Sequence, residues 1–260
     1  MKIYTNFILD LLKEGLYNDT ELTNKPITVF YDYLPYNINQ LTENKYNILF
    51  IQEPNQLFGY HDWTINNYHL FDIIFTWSEK ILNVANNAVF FPFGAGDFER
   101  NWSEYYNKSF EVSFMCGPKN MIEGHLLRHK IYNNQENIKI PKKYFFKGSK
   151  EKCWNSMYHI AVENSQNTGY FTEKIVDAFL SKTIPIYWGC TNINEFFNMD
   201  GVILFDNYEH LEEIVNNLTP EYYETKKDVI EENYNLALQY ADLVGRMNLA
   251  LKEVCLINNI

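Results

Sequence analysis

Short apolar runs separated by polar connections dominate the chain, and their spacing predicts two successive α/β halves. Apolar residues at helical spacing over residues 3–16, closed by LLKEG, predict an opening helix. A polar loop over 18–24 leads to ITVFYDYL from Ile27, the first predicted strand. Residues 47–53, NILFIQE, read as a buried strand that ends on an acid. LFDIIFTWS at 70–78 reads as another strand, preceded by a polar loop, and AVFFPFG at 88–94 as a short one stopped by Pro92 and glycines. Polar residues over 96–109 predict a linker. A second series then opens with FEVSFMCG at 110–117, a helix from Gly124 (GHLLRHKIYNN), and YFFKGS as strand or turn. Residues 158–189, YHIAVENSQNTGYFTEKIVDAFLSKTIPIYWG, read as strand, polar loop, helix, strand. VILFD at 202–206 is one more strand. From Leu211 onward the pattern is mostly helical, with a turn at Thr219-Pro220 and a long acidic helix from Tyr222. Apolar strands alternating with helices or loops predict parallel sheets. Beyond the two similar halves there is no internal repeat.

Composition changes the picture in a few places. The net charge of −11 makes the molecule as a whole repel nucleic acid and anionic membrane, so no nucleic-acid partner is expected and an anionic substrate requires a local basic pocket. Cys116, Cys153, Cys190 and Cys255 are widely spaced without a CxxC pair, which disfavours a zinc site and predicts reduced thiols. The opening apolar run is broken by Asp10, Lys13 and Glu14, unlike a signal peptide. No window approaches the ~20 apolar residues that span a bilayer, so no integral membrane segment is expected. The abundant Asn, Ile and Lys fit an AT-rich genome, and the expected setting is the cytoplasm of a bacterium, or a large-virus protein, with attachment to a membrane surface left open.

The chemistry concentrates in residues 158–189. Its polar loop lies between the carboxyl end of a strand and the start of a helix, the crevice where open α/β sheets bind ligands. A helix start there offers free N–H groups and a positive dipole end, which suits a phosphate. Glu173 and Lys174 occupy the first turn. Thr172 before them reads equally as a plain N-cap, with the acid complementing the dipole. Glycosyl transfer from a nucleotide sugar needs a base for the acceptor hydroxyl, cations or N–H groups for the departing diphosphate, and tolerance of positive charge on the sugar. No Asp-x-Asp motif, the common holder of a divalent ion, occurs in the chain. A helix N-terminus with Lys supplies the alternative. Glu53, at a strand's carboxyl edge before Pro54, is a base candidate or a solvated loop charge; His61 and Asp62 are the other base candidates. Tyr60 and Trp63, in the loop before the 70–78 strand, could stack on an acceptor sugar, whereas Trp77 reads as core. His125 and His129, four apart without an acidic or Cys partner, read as helix surface rather than a metal site.

VENSQNTGYFTEKIVDAFLSKTIPIYWG, residues 162–189, resembles the donor-binding signature of the α1,3/4-fucosyltransferases, glycosyltransferase family 10, with Val162 where the family usually has Phe. IQEPN at 51–55 and FFPFG at 90–94 resemble two further family elements in the expected order. The resemblance implies an α/β GT-B fold, two Rossmann-like domains facing a central cleft. Residues 1–108 would form the acceptor-side domain and 109–225 the GDP-sugar-binding domain. Residues 226–260 would form a helix packing back on the first. It also implies a GDP-fucose donor, an acceptor oligosaccharide or glycoconjugate, no metal or other cofactor, and inversion at the anomeric carbon. Asn164, Tyr170, Thr172 and Lys174 would contact the donor, Lys174 at the diphosphate. Glu173 would face the fucose ring and Glu53 would be the general base, with Tyr60, His61 and Trp63 as acceptor-side candidates. The family's second phosphate cation falls on Arg128 first or Lys119 second. Two alternatives stay open: a related transferase using another nucleotide sugar, and a sugar- or nucleotide-binding domain without turnover.

Overall fold

A computed structural model describes residues 1–5, 15–16, 18–35, 37–42, 44–97 and 99–260. It divides into two compact units, residues 1–93 with 242–260, and residues 94–241. Each is built on a five-stranded sheet whose neighbouring strands pair in parallel.

In the first unit the strands β1 (Lys2–Thr5), β2 (Ile27–Tyr31), β3 (Tyr46–Ile51), β4 (Ile73–Thr76) and β5 (Ala88–Phe90) lie side by side in chain order. β2 is buried along its whole length and β3 nearly so, as expected for parallel strands covered on both faces. Ile3, Val29 and Phe50 enter one core, while Tyr4, Phe30 and Leu49 face the other. The opening residues therefore differ from the helix expected over 3–16. Lys2–Thr5 pairs with β2, Ile3 opposite Val29, because Ile3 and Tyr4 alternate between the two cores. Of the rest of that expected helix, residues 6–14 lie outside the described residues, and Gly15 and Leu16 are helical. The loop expected before β4 is instead largely the helix α1 (Tyr60–Asn67).

The second unit contains β6 (Ser109–Cys116), β7 (Lys142–Phe146), β8 (Ser156–Val162), β9 (Ile184–Trp188) and β10 (Ile203–Leu204), in the order β10-β9-β8-β6-β7. Its longer helices are α2 (Glu123–Asn133), α3 (Glu173–Leu180), α4 (Tyr208–Asn216) and α5 (Lys227–Ala241). After β6 the chain runs outward to β7 and then returns to the opposite side of β6, so β6 and β8 flank a topological switch point. Tyr158, Ile160 and Val162 of β8 fill the core on one face, and Ala161 joins Ile175, Val176 and Phe179 of α3 on the other. Each fully buried Val, Ile or Phe side chain among these stabilises by ~1.5–3 kcal/mol.

The described residues of 96–109, expected as a linker, belong to the second unit. Trp102 is buried against Trp154, ring centroids 5.9 Å apart, and its Nε1–H donates to the Asp97 carbonyl at 2.9 Å. The units thus part at 93/94 rather than 108/109. At the other end, Ala237 and Ala241 of α5 keep that helix on α3. It is α6 (Leu243–Ile257) that joins the first unit, placing Met247, Leu251 and Val254 against the core of β1–β3. All four cysteines are buried free thiols.

Candidate active site

The site is organised by Glu163, which follows β8 and is wholly buried. A buried carboxylate is costly unless its oxygens are bonded. Here Oε1 accepts the Thr172 N–H at 2.8 Å and Oε2 accepts the Thr172 hydroxyl at 2.7 Å. Glu163 therefore ties the strand end to the N-cap of α3 across the intervening polar loop. The Thr172 backbone is extended, and its hydroxyl accepts from the Lys174 N–H at 3.4 Å and from Lys174 Nζ at 2.9 Å. Lys174 Nζ also lies 3.4 Å from both Glu163 Oε2 and Glu173 Oε1. The other end of the loop is held where Asn192 Oδ1 accepts the Gly169 N–H at 2.7 Å, with Gly169 at φ 76°.

α2 docks on the same strand end. Arg128 donates to the Val162 carbonyl at 2.6 Å and to Asn164 Oδ1 at 3.0 Å. One turn earlier the Gly124 N–H donates to the Asn164 carbonyl at 3.1 Å. Lys150, the first residue of a short 3-10 helix after β7, brings a further cation that the sequence reading missed. Its Nζ is 2.8 Å from Glu173 Oε1 and 3.9 Å from Asp177 Oδ2. Burial works against the charged Glu173 carboxylate, but Lys150, Lys174 and hydrogen bonds from Lys150 and Thr172 outweigh it and hold its pKa well below the usual range. Burial likewise opposes the Lys150 charge, yet Glu173 and Asp177 raise its pKa. This pair stays ionised at neutral pH.

These groups surround a cavity of about 310 Å3 at the β6/β8 switch point, where open α/β sheets place their ligands. Lys119, Arg128, Lys150 and Lys174 all line it, with Asn164 between them. A protein of net charge −11 thus concentrates positive charge in one recess. His125 and His159 also line it but add no charge at neutral pH. Burial, aided by Arg128 and Lys119, pushes His125 down to about 4; burial, aided by Lys150 and Lys108, pushes His159 down to about 3. His159 Nδ1 pairs with the Ser113 hydroxyl at 2.9 Å. A diphosphate fits this lining: it is an anion that needs several N–H donors at once.

The structure brings Asn164, Lys174, Arg128 and Lys119 together around the cavity and sets Glu173 beside them through Lys150. Tyr170 and Thr172 are buried and do not line it; Thr172 is spent on the cap and on Glu163. His125, expected on the helix surface, is buried and accepts the Met121 N–H. Glu53, Tyr60, His61 and Trp63 lie in the first unit. Tyr60 and Trp63 sit on α1, partly buried against the core that holds Phe71, and His61 is buried. Among the described residues no cluster of three His, Cys, Asp or Glu could hold a metal, and no helix is long and apolar enough to cross a membrane.

The two parallel-sheet α/β units have the GT-B fold of the solved structures named below. Residues 124–230, within the second unit, match the model of glycosyltransferase family 10 (fucosyltransferase), C-terminal part. Over 94 residues the chain is 33% identical to the alpha-(1,3)-fucosyltransferase FucT of Helicobacter pylori, which covers 35% of this chain and 19% of that protein. The chain thus matches about a fifth of that relative's length. Among solved structures, an α1,3-fucosyltransferase bound to GDP-fucose covers 97% of this chain and 88% of its own at a TM-score of 0.58 and 17% identity. Anabaena HepE bound to UDP-glucose covers 96% and 82% at a TM-score of 0.59 and 11% identity. These two share the fold.

Proposed function

We propose that the protein moves L-fucose from GDP-β-L-fucose to a hydroxyl of an acceptor glycan, with inversion at the anomeric carbon and without a metal ion. The observation that carries this reading is the cavity where Lys150, Lys174, Arg128 and Lys119 converge beside the N-terminus of α3. The diphosphate would lie among these cations, and Glu173 would face the sugar ring, its negative charge offsetting the positive charge that develops as the bond to the diphosphate breaks. Glu53 would take the proton of the acceptor hydroxyl. The acceptor oxygen would bond to the anomeric carbon from the face opposite the leaving group, releasing GDP and giving an α-L-fucoside. The family domain and the GDP-fucose held by a structural neighbour support this donor.

Calorimetric titration with GDP, GDP-fucose, GDP-mannose and UDP-glucose, each with EDTA present, tests it. GDP and GDP-fucose are expected to bind without metal and UDP-glucose to bind weakly. Lys150→Met and Lys174→Met are each expected to weaken GDP by about tenfold, since a charge-assisted contact is worth ~1.5–3 kcal/mol. Unchanged GDP affinity in either variant removes that lysine from the phosphate site. The HepE likeness favours a second reading, a uridine-nucleotide donor, which binding confined to UDP-glucose would establish. Slow GDP release from GDP-fucose without acceptor separates an enzyme from a binding domain.

A further inference from the structure

Gln52 and Glu53 follow β3 and belong to no strand or helix, yet all four of their backbone polar groups are held by side chains. Asp32 Oδ1 accepts both N–H groups, Gln52 at 2.8 Å and Glu53 at 3.1 Å. Trp77 Nε1–H donates to the Gln52 carbonyl at 2.6 Å. His61 Nε2 bonds to the Glu53 carbonyl at 2.9 Å. A carbonyl only accepts, so Nε2 carries the hydrogen and the neutral ring is the Nε2–H tautomer. Burial lowers the His61 pKa, which keeps the ring neutral.

The three clamping residues come from separate places in the fold. Asp32 follows β2, His61 lies in the first turn of α1, and Trp77 follows β4. All three are buried, and the His61 and Trp77 rings meet edge to face with centroids 5.1 Å apart. The His61 backbone N–H is in turn fixed on Asn55 Oδ1 at 3.0 Å. Asp32 sits at φ 42°, in the left-handed region, which costs a non-glycine residue on the order of 1 kcal/mol or more. Loop peptides ordinarily leave such groups to water. Here a strained residue and two buried rings are committed to one dipeptide, which fixes the direction in which the Glu53 side chain leaves the backbone.

We propose that His61, Trp77 and Asp32 are positioning residues for Glu53, an inference that rests on Glu53 being the general base. A base works only within hydrogen-bond reach of the proton it takes. A displacement of ~1 Å can cost about 10²-fold in rate, so clamping the peptide from three sides has a direct kinetic consequence. His61 then acts through Glu53 and need not touch the acceptor.

The test compares His61→Phe, which keeps a ring against Trp77 but loses the donor, with His61→Gln, whose amide N–H can replace it. Transfer is followed as GDP release from GDP-fucose with oligosaccharide acceptors, beside amide hydrogen exchange of the 50–54 segment. His61→Phe is expected to lower kcat by roughly 30–100-fold with donor KM and GDP affinity within about twofold of the unaltered protein. His61→Gln is expected to restore most of kcat, and exchange at Gln52 and Glu53 is expected to quicken in the Phe variant alone. If His61→Phe does not fold, Trp77→Phe, which deletes the bond to the Gln52 carbonyl and keeps a ring, carries the same expectation. Near-normal kcat in the folded variant, with Glu53→Gln inactive, overturns the positioning role and leaves the base assignment standing. Full turnover in Glu53→Gln overturns the base assignment instead, and no GDP release by the unaltered protein overturns the functional reading itself.

Discussion

Glu53→Gln is expected to lower glycosyl transfer by about 10²–10⁴-fold, the usual contribution of a positioned general base, while leaving GDP affinity unchanged. The amide keeps the volume and the backbone bonds of the carboxylate but cannot take the acceptor's proton. The two readouts should separate because the residues fall in different units. Glu53 follows β3 in the first, whereas Lys150, Lys174 and Arg128 line the cavity of the second. A loss of kcat without a change in GDP binding is the signature of an interaction made in the transition state. Activity within a few fold of the unaltered protein would remove Glu53 from the mechanism and move attention to the other acidic and imidazole groups of its loop.

The local grammar of residues 158–189 was legible in the sequence. An apolar run reads as a buried strand wherever neighbours cover both faces, and a Thr before an apolar period reads as an N-cap; β8 and α3 follow both rules. Glu173 and Lys174 could be placed in the first turn because that position depends on local sequence alone. Lys150 could not. It reaches Glu173 because the sheet order sets β6 between β7 and β8, a long-range pairing that no local pattern encodes. Glu163 did leave a signal, an acid abutting the apolar run of β8. A residue so placed is either exposed or fully bonded, and the choice is made by Thr172, nine residues on. Thr172 and Tyr170 show how burial is hidden from a local reading. Both stand in the signature, yet their side chains are buried away from the cavity. In the first unit, Tyr60–Asn67 lacks an apolar period because it carries polar residues on most turns, so its helix was hidden. His61 read as a loop residue for the same reason, and its bond to the Glu53 carbonyl appears only in three dimensions.

Gly124→Ala should discriminate between local propensity and tertiary fit, because the two predict opposite signs. Gly124 lies in the first turn of α2, where alanine's better helix propensity would stabilise by up to about 1 kcal/mol. A Cβ on this residue, however, would stand 1.9 Å from the Glu163 carbonyl oxygen and 2.6 Å from that of Asn164. Both obstacles are backbone, so no side-chain rotation relieves the contact and the helix must move. Overpacking of this kind costs ~1–3 kcal/mol and occasionally more, and a backbone clash belongs at the upper end. A loss of about 3 kcal/mol would lower the melting temperature by roughly 6–12 °C in a unit of this size. The displacement should also reach the ligand cavity. Arg128, one turn along the same helix, is held by the Val162 carbonyl and Asn164 Oδ1, so moving α2 away pulls its guanidinium off the strand end. Weaker GDP binding in the still-folded variant is therefore expected together with the lower melting temperature. A variant that melts at or above the unaltered protein would mean that α2 does not dock this closely on residues 163–164, and the Arg128 geometry would fall with it.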